Sequence, residues 1–182
     1  MAFIDTQLFS GIEIFEKKQL DTHLGHFTNL YEQNLIKRNF LQDSISFCFR
    51  RGTIKGFHFQ RSPFSQAKLV SVIQGSILDF FIDLRKNSHT FLDHGSIHLK
   101  EGNSNIIFLP RGFAHGYITL EDSTLINYKL DNLYSLDHEE TILWNDDTLN
   151  IELPKMDKYY ISAKDQDGST IKDLEITGAF DD

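Results

Sequence analysis

The central part of the chain, residues 45–130, is a succession of short apolar runs separated by turn residues. The runs follow one another at about ten-residue spacing, which is typical of an all-β sandwich or barrel. Helical segments do not alternate with them, so a doubly wound parallel sheet is disfavoured. We predict strands at the following runs: Leu69–Ile73, Ile77–Leu84, Ser96–Leu99, Asn105–Leu109, Tyr117–Leu120 and Thr124–Leu130.

The N-terminal part of the chain has a different texture. Residues 1–45 mix short apolar and polar runs, and we predict a strand at Gly11–Phe15 and a helix at Leu30–Phe40. The whole chain has 182 residues, a length that suits one core better than two. We therefore expect a single domain over residues 1–182, with residues 1–45 as an N-terminal arm.

The C-terminal segment, residues 155–182, is looser and more acidic. We expect surface loop at Lys155–Tyr160 and at Asp165–Gly168. Residues 172–182 are predicted to form either a short acidic helix or a frayed tail.

Charge and composition exclude several classes of protein. Eighteen basic and 26 acidic residues give a formal net charge of −8, which disfavours a nucleic-acid binder. No apolar run approaches the roughly 18 residues that span a bilayer. The N-terminus lacks the basic start and apolar stretch of a secretory signal, and the single Cys48 cannot form an internal disulfide. We expect a cytoplasmic protein without a membrane or nucleic-acid partner.

Two of the eight histidines lie in distinctive surroundings. His58 alternates with Phe57 and Phe59, so in a strand it faces away from both. His115 lies between Gly112 and Gly116 in a turn-rich segment. Either histidine taken alone could simply donate to a backbone carbonyl in the interior.

Other chemistries find little support. No His-x-His pair occurs, and the residue two after His58 is Gln60, whose amide is a poor ligand for a transition metal. A metal site is therefore disfavoured. The chain also lacks the Gly-x-Ser-x-Gly elbow of serine hydrolases and a glycine-rich phosphate loop.

From about Asp21 to Asp165 the chain resembles the dTDP-4-dehydrorhamnose 3,5-epimerase family. Each matching segment is weak alone, but six occur in the family's order. The segments are Gly52–Gln60, Ala67–Phe91, Ile106–Leu120, Ile126–Ser135, Ile142–Pro154 and Ile161–Asp165. The resemblance implies a cupin-type jelly roll, a homodimer that exchanges strands and the N-terminal arm, and catalysis without metal or cofactor.

The resemblance also implies a substrate and a mechanism. The substrate is a nucleoside-diphosphate 4-keto-6-deoxy sugar, whose ketone acidifies the protons at C3 and C5. His58 corresponds to the base and Asp165 to the carboxylate paired with it. Tyr128 corresponds to the acid on the opposite face, and Lys68 lies near the C4 oxygen, where its charge would favour an enolate.

Further residues are implied as substrate contacts. His115 corresponds to the second histidine of the family's active site. Lys55, Gln60, Asp79 and Arg111 complete the set that we expect to bind substrate.

Three departures from the family pattern lie around the expected diphosphate. Leu24 stands where the family has arginine, and Lys55 stands where it has arginine before the base. Residues 44–48 replace an Asn-x-Ser-x-Ser segment. We therefore expect altered nucleotide or sugar recognition, with phosphate contacts from Lys55, Arg50, Arg51, Arg61 or Arg111.

Alternative functions remain open at this point. The enzyme could epimerise C3 alone or act as a keto-isomerase. A jelly roll that binds sugar nucleotides without catalysis and a metal-dependent cupin oxygenase come from other classes. The combination of His58, Lys68, Tyr128 and Asp165 favours a catalyst over a binding protein.

Overall fold

The computed structural model describes residues 8–16, 19–102 and 105–180. Residues 1–7 of the predicted arm and the last two residues of the C-terminal segment lie outside the described residues. The strands are β1 Glu13–Glu16, β2 Gln19–Thr22, β3 Gly25–Thr28, β4 Gln42–Cys48, β5 Thr53–Gln60, β6 Lys68–Gln74, β7 Ser76–Asp83, β8 His94–Lys100, β9 Asn105–Leu109, β10 Phe113–Thr119, β11 Thr124–Leu130, β12 Glu139–Ile142 and β13 Tyr160–Ile161. The helices are α1 Gln33–Ile36, α2 Ala163–Gln166 and α3 Ile171–Ile176, with a 3₁₀ helix at Leu136–His138.

Two sheets carry most of these strands. One has five strands in the order β1-β9-β6-β11-β4, and the other has the order β12-β5-β10-β7-β8, with β13 added in parallel to β5. Strands β2 and β3 form a separate hairpin. The all-β prediction is confirmed, and every centrally predicted strand is present, several of them longer than predicted.

The six-stranded sheet is buried on both faces. Every residue of β7 is buried, and its side chains alternate between two cores. Phe80 and Ile82 belong to an outer core, whereas Phe81 belongs to the core between the sheets. A strand covered on both sides is apolar at successive positions, which explains the run of apolar residues predicted there, interrupted only by the buried Asp79 and Asp83.

The C-terminal segment covers the outer face of this sheet. Ile171 and Leu174 of α3 are buried in the outer core, together with Ala179 and Phe180. Helix α3 begins with a capping box in which Thr170 and Asp173 bond to each other's backbone. The predicted short helix is therefore present, and residues 171–180 are not a frayed tail.

Three local predictions were wrong. His115 lies in the middle of strand β10 rather than in a turn. Asp165 lies in helix α2 and is buried, not in a surface loop. The predicted helix over Leu30–Phe40 is reduced to α1, which ends at Lys37 in the left-handed conformation. Among the described residues, no helix is long and apolar enough to cross a membrane.

A bulge in β5 shapes the inner face of the six-stranded sheet. His58 pairs with His115 and Lys55 with Tyr117 on β10, so two residues of β5 lie opposite one residue of β10. The extra residue turns the strand locally. Lys55 and His58, which ordinary alternation would put on opposite faces, therefore line the same cavity.

The chain crosses from one sheet to the other at Gly75, between β6 and β7, and this turn supports a stability prediction. Gly75 has φ +76°, and a Cβ there would lie 2.5 Å from Thr124 Oγ1. Gly102 is a matched control, because its φ is +68° but a Cβ would meet no atom within 4 Å. We expect Gly75→Ala to lower the free energy of unfolding by about 2–4 kcal/mol, against about 1 kcal/mol for Gly102→Ala. Urea denaturation measures both, and equal losses would contradict the crowding at Gly75.

Candidate active site

A cavity of about 350 Å³ opens between the two sheets. Side chains from strands of both sheets and from the loop before β12 form its wall. Its lining residues are Ser44, Ile45, Ser46, Lys55, His58, Phe59, Gln60, Gln66, Lys68, His115, Tyr117, Tyr128, Leu130, Tyr134 and Glu139. Six of the residues that the sequence singled out for chemistry or binding line this wall, and two more, Asp165 and Asp79, contact it through His58 and His115.

A histidine–carboxylate pair occupies the side of the cavity formed by β5. His58 Nε2 lies 2.7 Å from Asp165 Oδ1, and the Asp165 side chain is 1% exposed. Ser162, the N-cap residue of α2, donates to Asp165 Oδ2 at 2.7 Å and accepts from the Asp165 backbone N–H. The helix start therefore holds the carboxylate from its far side, leaving one oxygen for the imidazole.

Glycine at position 56 provides the space for this pair. A Cβ at Gly56 would lie 2.9 Å from Asp165 Oδ1 and 3.3 Å from Asp165 Cβ. The Asp165 carboxylate is buried and hydrogen-bonded through both oxygens, so it could not move away from such a Cβ. Gly56 is thus a requirement of the site that sequence analysis missed.

The surroundings set the charge of both partners. Burial acts to raise the pKa of Asp165, but hydrogen bonds with His58 and Ser162 outweigh it and lower that pKa to about 2. Burial lowers the pKa of His58 below 6.5, and Asp165 only partly compensates. At neutral pH the pair is therefore a carboxylate and a neutral imidazole whose Nε2–H donates to it.

The other ring nitrogen of His58 carries the free lone pair of this tautomer. His58 Nδ1 lies 3.1 Å from Thr141 Oγ1 and 3.3 Å from Glu139 Oε1. Neither neighbour was predicted from the sequence. Glu139 is in turn bonded by Lys164 Nζ and, at 2.6 Å, by the Tyr134 hydroxyl, so its charge is already partnered.

Lys68 reaches the same region from the opposite sheet. Its Nζ donates to the backbone oxygen of His58 at 2.8 Å. Burial lowers the pKa of Lys68 to about 8, against the attraction of Asp79 and Glu139. Lys68 therefore provides a cation in a poorly solvated position on the cavity wall.

A second histidine–carboxylate pair lies deeper. His115 Nε2 is 2.6 Å from Asp79 Oδ1, and both side chains are almost fully buried. Asp79 does not line the cavity but holds the ring of His115, which does. Asp79 Oδ2 has no hydrogen-bond partner among the described residues, so this carboxylate keeps unused acceptor capacity beside the cavity.

Tyr128 projects from β11 on the five-stranded sheet, across the cavity from β5. Its ring packs against His115, with centroids 6.0 Å apart and planes at 74°. Burial, followed by the neighbouring Tyr117, raises the pKa of Tyr128 well above 10. The phenol is therefore protonated at neutral pH and can donate.

Three of the expected binding residues, Lys55, Gln60 and Arg111, lie in different surroundings. Lys55 is exposed and lines the cavity. The amide of Gln60 is occupied by backbone partners: Nε2 donates to Phe64 O at 2.7 Å, and Oε1 accepts from Ser135 N at 2.7 Å. Arg111 pairs with Asp131 at 2.9 Å and lies at a neighbouring depression that shares Gln60 with the cavity, so Arg111 does not line the cavity itself. The binding roles stay predictions.

Glu139, Thr141 and Tyr134 were missed for a physical reason. They come from the loop and strand that follow β11, and only the pairing of β12 with β5 brings them to His58. Sequence periodicity carries no signal for such an approach. Among the described residues, no group of three or more His, Cys, Asp or Glu side chains is arranged to hold a metal ion; the prediction of metal-free catalysis stays a prediction.

Comparisons with known proteins agree with this architecture. A profile described as dTDP-4-dehydrorhamnose 3,5-epimerase matches residues 6–173. A curated dTDP-4-dehydrorhamnose 3,5-epimerase from Methanothermobacter thermautotrophicus is 35% identical over 181 residues, covering 96% of each chain.

Two solved structures are similar over most of the chain. A dTDP-4-dehydrorhamnose 3,5-epimerase from Bacillus anthracis, with TDP and PPi bound, is 35% identical with a TM-score of 0.86, covering 93% of this chain and 99% of its own. A dTDP-6-deoxy-D-glucose-3,5-epimerase from Legionella pneumophila, in complex with dTDP-4-keto-L-rhamnose, is 29% identical with a TM-score of 0.83, covering 88% of each.

These likenesses cover nearly the whole chain in both sequence and fold, and the predicted cupin-type jelly roll is confirmed. The chain belongs to the dTDP-4-dehydrorhamnose 3,5-epimerase family, and it is an enzyme of the epimerase class.

Proposed function

We propose that this enzyme epimerises a nucleoside-diphosphate 4-keto-6-deoxy sugar at C3, C5 or both, without metal or cofactor. The observation that carries the proposal is the division of the cavity wall. His58, whose neutral ring is paired with the Asp165 carboxylate, lies on the six-stranded sheet, and a protonated Tyr128 lies on the five-stranded sheet. Inversion at a carbon needs a base on one face and an acid on the other.

The first step is removal of a proton next to the ketone. The lone pair of His58 accepts the proton, and the C–H electrons form an enolate with the C4 oxygen. Asp165 fixes the tautomer and stabilises the imidazolium that results. Lys68, on the five-stranded sheet, and His115, on the six-stranded sheet, both line the cavity and are the groups suited to stabilise the enolate oxygen.

The second step restores the carbon from its other side. Tyr128 gives its phenolic proton to the carbon, the enolate electrons form the new C–H bond, and the ketone returns. The configuration at that carbon is inverted because the incoming proton arrives from the face opposite His58. Bound ligands in the relatives support the substrate class, since one holds TDP and pyrophosphate and the other a dTDP 4-keto sugar.

Recognition of the diphosphate is proposed to differ from that of typical family members. Lys55 keeps a positive charge at the cavity but lacks the two-pronged donor geometry of arginine. Leu24 lies at the tip of the β2–β3 hairpin, 87% exposed, where no phosphate-binding charge remains. Arg61 is paired with Glu140 at 2.9 Å, as Arg111 is with Asp131. Of the five expected phosphate contacts, including Arg50 and Arg51, only Lys55 lines the cavity, so it is the best placed.

We further propose that the functional unit is a homodimer with the N-terminal arm at its interface. The β2–β3 hairpin pairs with no other described strand, and its facing residues Leu20 and Phe27 are 65% and 61% exposed. An isolated two-stranded hairpin is at best marginal in water. The edge strand β4 also exposes apolar side chains, with Phe47 46% and the following Phe49 73% exposed.

Solvent deuterium uptake tests the chemistry. Incubation in D₂O with dTDP-4-keto-6-deoxyglucose is expected to label C3, C5 or both, as followed by NMR, and His58→Asn to abolish labelling while leaving the thermal midpoint nearly unchanged. Label at C3 alone identifies a C3 epimerase. Parallel guanosine and cytidine substrates identify the nucleotide. Unimpaired labelling by His58→Asn would contradict the proposed base.

The acid limb of the pH–rate profile tests whether Asp165 is the partner of the base His58. Because burial holds the pKa of His58 below 6.5, kcat/KM should stay level at neutral pH and fall only below that lowered value. Asp165→Asn removes the charge that favours the imidazolium. The variant should therefore move the acid limb to still lower pH and lower kcat by about 100-fold or more.

Asp167→Asn provides the matched control for that experiment. Asp167 lies at the end of the same short helix but is exposed, so its profile should match that of the unsubstituted enzyme. An acid limb that moves to higher pH in Asp165→Asn would contradict the assigned partnership.

The dimer proposal is tested by light scattering after gel filtration. The unsubstituted protein is expected at twice the 21.1 kDa chain mass, and Phe47→Asp to shift it toward one chain, because a charge would be buried unpaired at the interface. Ile176→Asp is the control, since Ile176 is 75% exposed on α3, away from the proposed interface. A single-chain mass for the unsubstituted protein would contradict the proposal.

A further inference from the structure

A serine at the start of helix α2 holds the carboxylate that partners the candidate base. Ser162 is the N-cap residue of this helix, and its hydroxyl accepts from the Asp165 backbone N–H at 3.1 Å. The same hydroxyl donates to Asp165 Oδ2 at 2.7 Å. The other carboxylate oxygen, Oδ1, lies 2.7 Å from His58 Nε2. The hydroxyl of Ser162 is therefore donor and acceptor at once, and it leaves Oδ1 to the imidazole.

Helix α3 begins with an equivalent four-residue pattern and shows what the pattern does away from the site. Thr170 and Asp173 correspond there to Ser162 and Asp165, and Thr170 Oγ1 donates to Asp173 Oδ2 at 2.6 Å. The Asp173 carboxylate also accepts from the backbone N–H of Thr170, which completes a capping box. In α2 the carboxylate bonds to His58 as well as to the cap. The start of this helix thus sets the position of a carboxylate in the site.

His58 needs a fixed carboxylate because a second one lies on its other side. Its Nδ1 is 3.3 Å from Glu139 Oε1 and 3.1 Å from Thr141 Oγ1. A neutral imidazole has a single N–H, so Asp165 at Nε2 and Glu139 at Nδ1 are competing acceptors for it. The nitrogen that keeps the N–H has no lone pair for a substrate proton. The tautomer therefore decides which ring nitrogen can act as the base.

Two features of the structure favour Asp165 in this competition. Glu139 is already bonded by the Tyr134 hydroxyl and by the ammonium of Lys164, so much of its charge is neutralised. Asp165 lies at the shorter distance from the ring, and its second oxygen has only the neutral hydroxyl of Ser162 as donor. Rotation of the carboxylate about its Cβ–Cγ bond would break that hydrogen bond. The hydroxyl therefore keeps Oδ1 directed at the imidazole.

We propose that Ser162 is a positioning residue for the base, whose hydroxyl holds the Asp165 carboxylate toward Nε2 and thereby keeps the lone pair of His58 on Nδ1. The inference rests on the proposed function and deepens it, because it assigns the choice of tautomer to a residue outside the cavity wall. A role in capping alone would use the hydroxyl only as an acceptor. The donated bond to Oδ2 is what the positioning role requires in addition.

The tautomer can be measured by NMR without substrate. Protein labelled with ¹⁵N-histidine is observed at mildly alkaline pH, where the His58 ring is neutral because burial lowers its pKa below 6.5. The variant His58→Asn identifies the signals of this ring by their loss. We expect the unsubstituted protein to have a protonated Nε2 and an unprotonated Nδ1. In Ser162→Ala both nitrogens should move toward intermediate chemical shifts, because a carboxylate that is free to rotate no longer fixes the ring proton.

The kinetics of the same variant connect the tautomer to the reaction. We expect Ser162→Ala to lower kcat by about 10-fold, the lower end of what a hydrogen bond to a charged group contributes. KM should change by less than about twofold. Ser162→Thr keeps the hydroxyl and should restore most of the rate. In an Asp165→Asn background, Ser162→Ala should have little further effect, because the carboxylate through which it acts is gone.

Thr170→Ala is the matched control. It removes the hydroxyl of the equivalent N-cap on α3, where the carboxylate of Asp173 is exposed. The variant should lower the thermal midpoint as the loss of a helix cap does. The tautomer of His58 and kcat should stay those of the unsubstituted enzyme.

The outcomes are distinct. An unaltered tautomer and kcat in Ser162→Ala would overturn this inference and leave the proposed function intact. A full further loss of rate from Ser162→Ala in the Asp165→Asn background would also overturn it, by indicating a role that does not act through the carboxylate. No deuterium uptake by the unsubstituted enzyme with any nucleotide would overturn the proposed function. The NMR measurement needs no substrate, so it would still decide whether Ser162 sets the tautomer.

Discussion

The six-stranded sheet is buried on both faces, and the candidate site depends on that burial. Its outer core needs a cover, which the C-terminal segment provides through Ile171, Leu174 and Phe180. The same segment carries Asp165 in the short helix α2, beside strand β5. A carboxylate far along the chain therefore reaches His58 only because apolar packing holds the segment against the sheet. In this way the hydrophobic effect, which has no direction of its own, fixes a polar contact of 2.7 Å.

Within the cavity, charged groups are held with partners rather than alone. Asp165 is bonded by His58 and Ser162, and Glu139 is bonded by Tyr134 and Lys164. Low dielectric strengthens each of these bonds and penalises any group left unpaired. The result is a site with a neutral imidazole, a lysine ammonium at Lys68 whose lowered pKa makes it a stronger acid, and protonated phenols. That set of protonation states is the one that abstraction and redelivery of a carbon-bound proton requires.

Chemistry and recognition have separate locations in this chain. The residues proposed to move protons lie on the inner strands of the two sheets, where register and packing constrain them. Two of the three departures from the family lie at the periphery, at Lys55 by the cavity mouth and at Leu24 on the exposed hairpin, whereas the third, residues 44–48, lies on β4, which lines the cavity beside the strand of Tyr128. Under the proposed function, changes at the periphery would alter which nucleotide is held, because the exposed side chains there have few neighbours that restrain them. In the proposed dimer, the hairpin of one chain would lie against the partner chain.

The sequence by itself determined the class of the fold and the family, because apolar runs at regular spacing and six ordered segments are properties of the chain read in order. Alternation also placed His58 on the face opposite Phe57 and Phe59, and the family resemblance identified it as the candidate base. Tertiary structure alone decided that Asp165 is buried, that Arg111 lies apart, and that Glu139 approaches the imidazole. These depend on long-range strand pairing and on a bulge that puts Lys55 and His58 on one face, and neither leaves a periodic trace along the chain. Gly56 shows the limit most clearly. A side chain at this position would collide with Asp165, which lies more than one hundred residues further along the chain, and only the folded chain brings the two together.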